Sequence, residues 1–103
     1  MPSQKDFQNS WRDYKKKLAA EDSPDWWDKQ LRPAVPDGNL AEFIRSWVWK
    51  QHPQDRARIL QLFAMEGHAE IGPFLDELEK HPDELARELA CDARAALEEF
   101  LAS

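Results

Sequence analysis

Glycine is scarce in this chain, at three residues in 103, and so few cannot supply the tight turns of a many-stranded β architecture. Cysteine is scarcer still. Cys91 stands alone, so no internal disulfide can form, which fits a reducing compartment. No stretch approaches the roughly 18 uninterrupted apolar residues of a membrane span, and the N-terminal residues lack the basic start and apolar run of a secretory signal. A cytoplasmic protein that does not engage a membrane is expected. The usual marks of catalysis are missing too: there is no Gly-rich phosphate loop, no G-x-S-x-G elbow and no kinase signature. The three histidines form neither an i, i+4 pair nor a cysteine–histidine spacing suited to zinc. No catalytic residue, cofactor or metal ligand is therefore assigned, and an enzyme is not expected.

What the chain does have is tryptophan. Five lie in its first half, at Trp11, Trp26, Trp27, Trp47 and Trp49. Tryptophan carries a large apolar contact area and is enriched at binding hot spots, so this density exceeds what a small core normally needs. Charge is equally uneven. Residues 1–60 hold eleven Lys and Arg against nine Asp and Glu, whereas residues 61–103 hold three against eleven. An acidic second half repels nucleic-acid phosphate but suits a basic protein partner.

The length fits one domain over residues 1–103, and helix signals recur along it. Ser3 can cap a first helix to about Ala20, in which Phe7, Trp11, Tyr14 and Leu18 form an apolar stripe and Lys5, Arg12 and Lys16 a basic ridge, extended by Lys15 and Lys17. Ser23, Pro24 and Asp25 read as the start of a short helix through Trp26 and Trp27 to about Leu31. An ordered loop over 32–38 follows. Asn39 and Glu42 then cap a third helix through about Gln51, with Leu40, Phe43, Ile44, Trp47 and Val48 turned inwards. Trp49 falls on its polar face, one turn after Arg45, whose guanidinium can lie over the indole.

His52-Pro53 opens a fourth, central helix that ends near Glu66 before Gly67. Ile71, Phe74, Leu75 and Leu78 make a fifth that starts or breaks at Gly72-Pro73. His81-Pro82 opens the last, with Leu85, Leu89, Ala93, Ala96, Leu97 and Phe100 inwards and Cys91 outwards. His52-Pro53, Ala57-Arg58 and Leu60 recur 29 residues later as His81-Pro82, Ala86-Arg87 and Leu89. Two copies are too few for a solenoid, so the echo is read as two helices that share a proline start. The fold class is accordingly all-α, a compact orthogonal or irregular bundle of five or six short helices.

Each remaining cluster has an ordinary structural reading beside its functional one. His52 and His81 are helix-junction residues by position, and His68 a loop residue. Glu77, Glu79, Asp83 and Glu84 form an acidic run that solvation explains, or else a docking face for a basic protein. Cys91 lacks a partner histidine and a net positive setting, so a nucleophilic role is discounted. Trp11 and Trp47 read as core. Adjacent Trp26 and Trp27 point about 100° apart in a helix, so one of them reaches the surface. With Trp49 and Val35, and rimmed by Arg32, Arg45 and Lys50, it makes an aromatic patch of interface composition, unless the proline-rich loop folds over these rings and buries them.

The expected function is a non-enzymatic protein–protein interaction module, an adaptor, inhibitor or regulator, docking through that patch and through its acidic half. A homodimer formed through the same patch is the close variant. Nucleic-acid binding through Lys5, Arg12, Lys15 and Lys16 is the alternative from another class, and an enzyme built on His68 with nearby carboxylates is a third.

Overall fold

The computed structural model describes residues 4–20, 31, 33, 35, 36 and 40–102, and every regular element among them is helical. The expected all-α class is therefore observed, with five α-helices among the described residues. The chain divides into two units, Met1–Gly38 and Asn39–Ser103.

In the first unit α1 spans Gln4–Ala20, as the apolar stripe predicts. Phe7 and Trp11 are buried, Tyr14 is half-buried, and the Trp11 and Tyr14 rings meet at 5.3 Å. Leu31 and Val35 are also buried. The start expected at Ser3 and the helix expected between Ser23 and Leu31 fall, apart from Leu31 itself, outside the described residues.

The second unit holds α2 (Leu40–Ser46), α3 (Pro53–Met65), α4 (Gly72–Glu79) and α5 (Glu84–Ala102), with 3-10 turns at Val48–Lys50 and Ala69–Ile71. α3 is the central element, as its composition predicts: Ile59, Leu60, Leu62, Phe63 and Ala64 are completely buried. Full burial of each large apolar side chain contributes about 1.5–3 kcal/mol before entropy is charged, so this helix anchors the unit. His52 caps its start, its Nδ1 accepting the Gln54 N–H at 3.3 Å, with Pro53 in the first helical position, where no N–H is needed.

The end of α3 is a Schellman motif. Gly67 takes φ +80°, its N–H donates to the Ala64 carbonyl at 3.0 Å, and the His68 N–H donates to the Phe63 carbonyl at 3.1 Å. The apolar contact that accompanies such a motif is present as well, the His68 ring standing edge-on to Phe63 at 6.4 Å.

α5 packs more extensively on α3 than on any other element. The two run parallel: Gln54 Nε2 donates to Asp83 Oδ2 at 3.5 Å near their starts, and the Phe100 ring lies against Gly67 near their ends. Ala57 and Ala64 on α3 and Ala86, Ala90 and Ala93 on α5 are fully buried, rows of short side chains that let two helix axes approach closely. The 29-residue echo is thus a pair of neighbouring helices, and Gln54 and Asp83, which occupy equivalent positions in it, touch each other.

Three boundaries and faces depart from expectation. The helix expected to reach Gln51 stops at Ser46. Trp47, Val48 and Trp49 are bulky and consecutive, and Trp47 leaves helical geometry (φ −130°, ψ −51°) as the chain tightens into a 3-10 turn that buries Val48. Trp47 consequently lies half-buried, stacked flat on Phe43 at 5.4 Å, rather than inside the core.

The last helix begins at Glu84 instead of at His81-Pro82. Asp83 is its cap: Oδ1 accepts the Ala86 N–H at 2.9 Å, satisfying a donor that Pro82 and His81 cannot reach. His81 instead closes the preceding turn, its Nδ1 accepting the Asp83 N–H at 3.0 Å.

Leu85 and Phe100, expected to face inwards, are 38% and 50% exposed. The buried face of α5 is instead centred on Ala86, Ala90, Ala93 and Leu97, which share an arc of about 60°, and Leu85 and Phe100 fall to one side of it.

Candidate functional site

The 3-10 turn places Trp49 where an uninterrupted α-helix would not. Successive residues step by about 120° there instead of 100°, which swings the indole away from the exposed side of α2. It meets Phe74 of α4 edge-on, with ring centroids 5.2 Å apart and planes at 61°. Arg56, from the first turns of α3, lays its guanidinium over the Trp49 ring at 5.2 Å while its Nε donates to the Gln51 carbonyl at 2.8 Å. Arg45 lies over Phe74 at 5.6 Å, and not over Trp49 as its spacing suggests. The reason is the early end of α2, which breaks the one-turn relation between residues 45 and 49.

The result is an interleaved series, Arg45, Phe74, Trp49, Arg56, drawn from four elements. Phe74 is buried; Trp49 and Arg56 are half-buried; Arg45 and the neighbouring Lys50 are exposed. Each guanidinium sits against the electron-rich face of a ring, an attraction of about 0.5–1 kcal/mol at such partly wet positions. The turn beneath is held by its own hydrogen bonds, Lys50 N–H to the Trp47 carbonyl at 3.1 Å and Gln51 Nε2 to the same oxygen at 3.1 Å. The arrangement is thus rigid, cationic at its rim and aromatic at its centre.

Of the patch expected from sequence, Arg45, Lys50 and Trp49 belong to this face. Trp26, Trp27 and Arg32 lie outside the described residues. Val35 belongs to the first unit and is buried at 6% exposure, leaving it little surface to offer. Phe74, beside Trp49 at the centre of the series, and Arg56, at its end, are not marked by spacing, because both meet Trp49 through tertiary packing.

The basic residues of α1, Lys5, Arg12, Lys15 and Lys16, are all exposed, while its aromatics Phe7 and Trp11 are 0% and 3% exposed and have no face free to stack on a base. His68 Nδ1 stands 3.6 Å from Glu70 Oε1. Among the described residues no group of three or more His, Cys, Asp or Glu is gathered for a metal ion, and no helix is long and apolar enough to cross a membrane. Compared with protein-family models, curated proteins and solved structures, the chain matches none of them.

The acidic half resolves into residues with structural partners and residues facing solvent. Asp83 caps α5; the Ala86 N–H above all, then Gln54 and the charges of His52 and His81, hold its carboxyl below the ordinary value despite some desolvation. Glu79 and Asp76 on α4 grip Arg94 of α5, Glu79 through Nε and Asp76 through Nη2. That fork raises the Arg94 pKa, chiefly through the Glu79 hydrogen bond. Glu84, Glu88 and Asp92 remain exposed. With Glu79, Arg87 and the exposed Cys91 they line an open groove of about 560 Å³. Arg87 is turned back on the chain there, donating to the His81 and Pro82 carbonyls at 2.8 and 3.0 Å.

Proposed function

We propose that this chain is a non-enzymatic protein–protein interaction module, an adaptor, inhibitor or regulator, that docks a partner on the arginine–aromatic face around Trp49 and engages it further through its acidic half. The observation that carries this reading is the Arg45–Phe74–Trp49–Arg56 series, with Trp49 half in water. Arginine and aromatic side chains are the types enriched at interface centres, and a pre-ordered indole loses little conformational entropy on binding. Held by cation–π contacts and the hydrogen-bonded turn, Trp49 has the rigidity expected of an anchor residue.

A photo-crosslinking residue at position 50, beside this face, tests the reading in the native host. One protein cross-linked reproducibly, and no longer cross-linked when Arg45→Glu is added, is the expected outcome. No adduct, or one indifferent to Arg45→Glu, overturns it. Light scattering on the purified chain separates the homodimer variant: a mass of two chains that reverts to one with Arg45→Glu identifies the partner as a second copy.

A further inference from the structure

The second unit, Asn39–Ser103, holds seven Lys and Arg against thirteen Asp and Glu, so its cations have carboxylates in excess to pair with. Several of its arginines are engaged. Arg58 stands 3.5 Å from Asp55, Arg94 is gripped by Asp76 and Glu79, and Arg87 donates to the His81 and Pro82 carbonyls. The Trp49 face gathers three cations that are not so matched. Among the described residues Arg45, Lys50 and Arg56 form no ion pair with a carboxylate, and Arg45 forms none even with Glu42, one turn before it on α2. Hydrogen-bond donors are left over at the same place. Neither the exposed Arg45 guanidinium nor the half-buried Trp49 indole N–H has an acceptor among the described residues. We propose that the segment received on the Trp49 face is an acidic peptide stretch, in which an apolar side chain seats on the indole between Asp or Glu residues that meet Arg45, Lys50 and Arg56.

Charge and donor count select this occupant. Guanidinium and indole groups donate and do not accept, so what completes them is an acceptor, and a carboxylate matches the guanidinium fork in bidentate geometry. The three cations come from three elements, α2, the 3-10 turn and α3, so a stretch with several carboxylates meets them better than one isolated anion. A second copy docked face to face would set the same cations against one another. A nucleic acid offers acceptors too, but its phosphates run on beyond the face into the field of thirteen carboxylates, whereas a peptide can end its charge at the rim. This chemistry rests on the reading of the Trp49 face as a docking site and names the class of segment it takes.

The test is titration of the full chain into short fluorescein-labelled peptides: a central leucine flanked by glutamates, the same leucine flanked by lysines, and glutamates around a central serine. The leucine–glutamate peptide is expected to bind, more weakly as salt is added, and the lysine peptide not to bind. The serine peptide should bind at least about tenfold more weakly, as for loss of an anchor. Arg45→Glu combined with Lys50→Glu, both at exposed positions, should reverse the choice with the melting temperature kept: the glutamate peptide is lost at least about tenfold and the lysine peptide gained. Equal binding of the glutamate and lysine peptides, no binding of either, an oligonucleotide held as tightly as the leucine–glutamate peptide, or a dimer of the chain abolished by Arg45→Glu overturns the proposal. Mapping the cross-link made from position 50 separates this chemistry from the docking reading beneath it. A cross-linked partner segment rich in Asp and Glu supports both, a basic or uncharged segment overturns the acidic occupant and leaves the docking face standing, and absence of any adduct removes both.

Discussion

Gly67→Ala removes no contact and adds one methyl group, yet two independent features of the structure oppose it. At φ +80° an L-residue occupies the left-handed region, a cost of about 1–2 kcal/mol. A Cβ built there would stand 2.2 Å from Phe100 Cε1, so the ring must leave the end of α3. Phe100 is 50% exposed, so the half now covered is worth about 1 kcal/mol of the ~1.5–3 for complete burial. Together these predict a loss of about 2–3 kcal/mol in urea unfolding, or roughly 10–20 °C in melting temperature for a unit of this size. The two terms separate in a double-mutant cycle. In a Phe100→Ala background the clash is gone and only the backbone strain remains, so the same substitution should cost about 1 kcal/mol less. Equal costs in both backgrounds would refute the placement of Phe100, and a neutral Gly67→Ala would refute the Schellman geometry itself.

Three further outcomes follow from packing and charge. Asp83 has a lowered pKa in the folded state, so its stabilising effect is full above its ordinary value of 3.8 and disappears as pH falls through the folded value. The melting-temperature advantage of wild type over Asp83→Ala should therefore be present at pH 7 and shrink steadily below about pH 4. Arg94→Lys replaces a planar fork by a point charge and should lose about 0.5–1 kcal/mol in denaturant unfolding, a difference that narrows in molar salt because Asp76 and Arg94 are partly exposed. Ala93→Leu forces three extra carbons into a fully buried position beside α3 and should cost about 1–3 kcal/mol or more, whereas Ala95→Leu, on the exposed side, should cost under about 0.5.

Local signals marked much of the fold in the sequence. His52-Pro53 announced the start of α3 and Gly67 its end because capping is chemistry among near neighbours, and the Phe7–Trp11 spacing placed α1 for the same reason. Periodicity failed where tertiary packing competed with it. Val48 is buried as its spacing predicts, but nothing within α2 reveals that the helix is cut short at Ser46. At the start of α5 the proline rule places the first turn at His81-Pro82, whereas the carboxylate of Asp83, aimed at the Ala86 N–H, caps the helix two residues later.

The candidate site was legible only in part. Composition pointed to Trp49, Arg45 and Lys50, but the partners of Trp49 come from α3 and α4, at separations no local pattern encodes. Leu85 and Phe100 read as buried from sequence because they belong to a regular apolar stripe, whereas the face of α5 that packs lies to one side of them, on Ala86, Ala90, Ala93 and Leu97.

The decisive property of the molecule is whether the Trp49 face holds a partner. Quantitative capture from the native host with wild type, Trp49→Ala and Arg45→Glu chains, each shown by circular dichroism to be folded, measures this. A retained protein whose recovery falls at least about tenfold with both substitutions is the predicted result, as for loss of an interface anchor; undiminished recovery by folded variants would contradict the account.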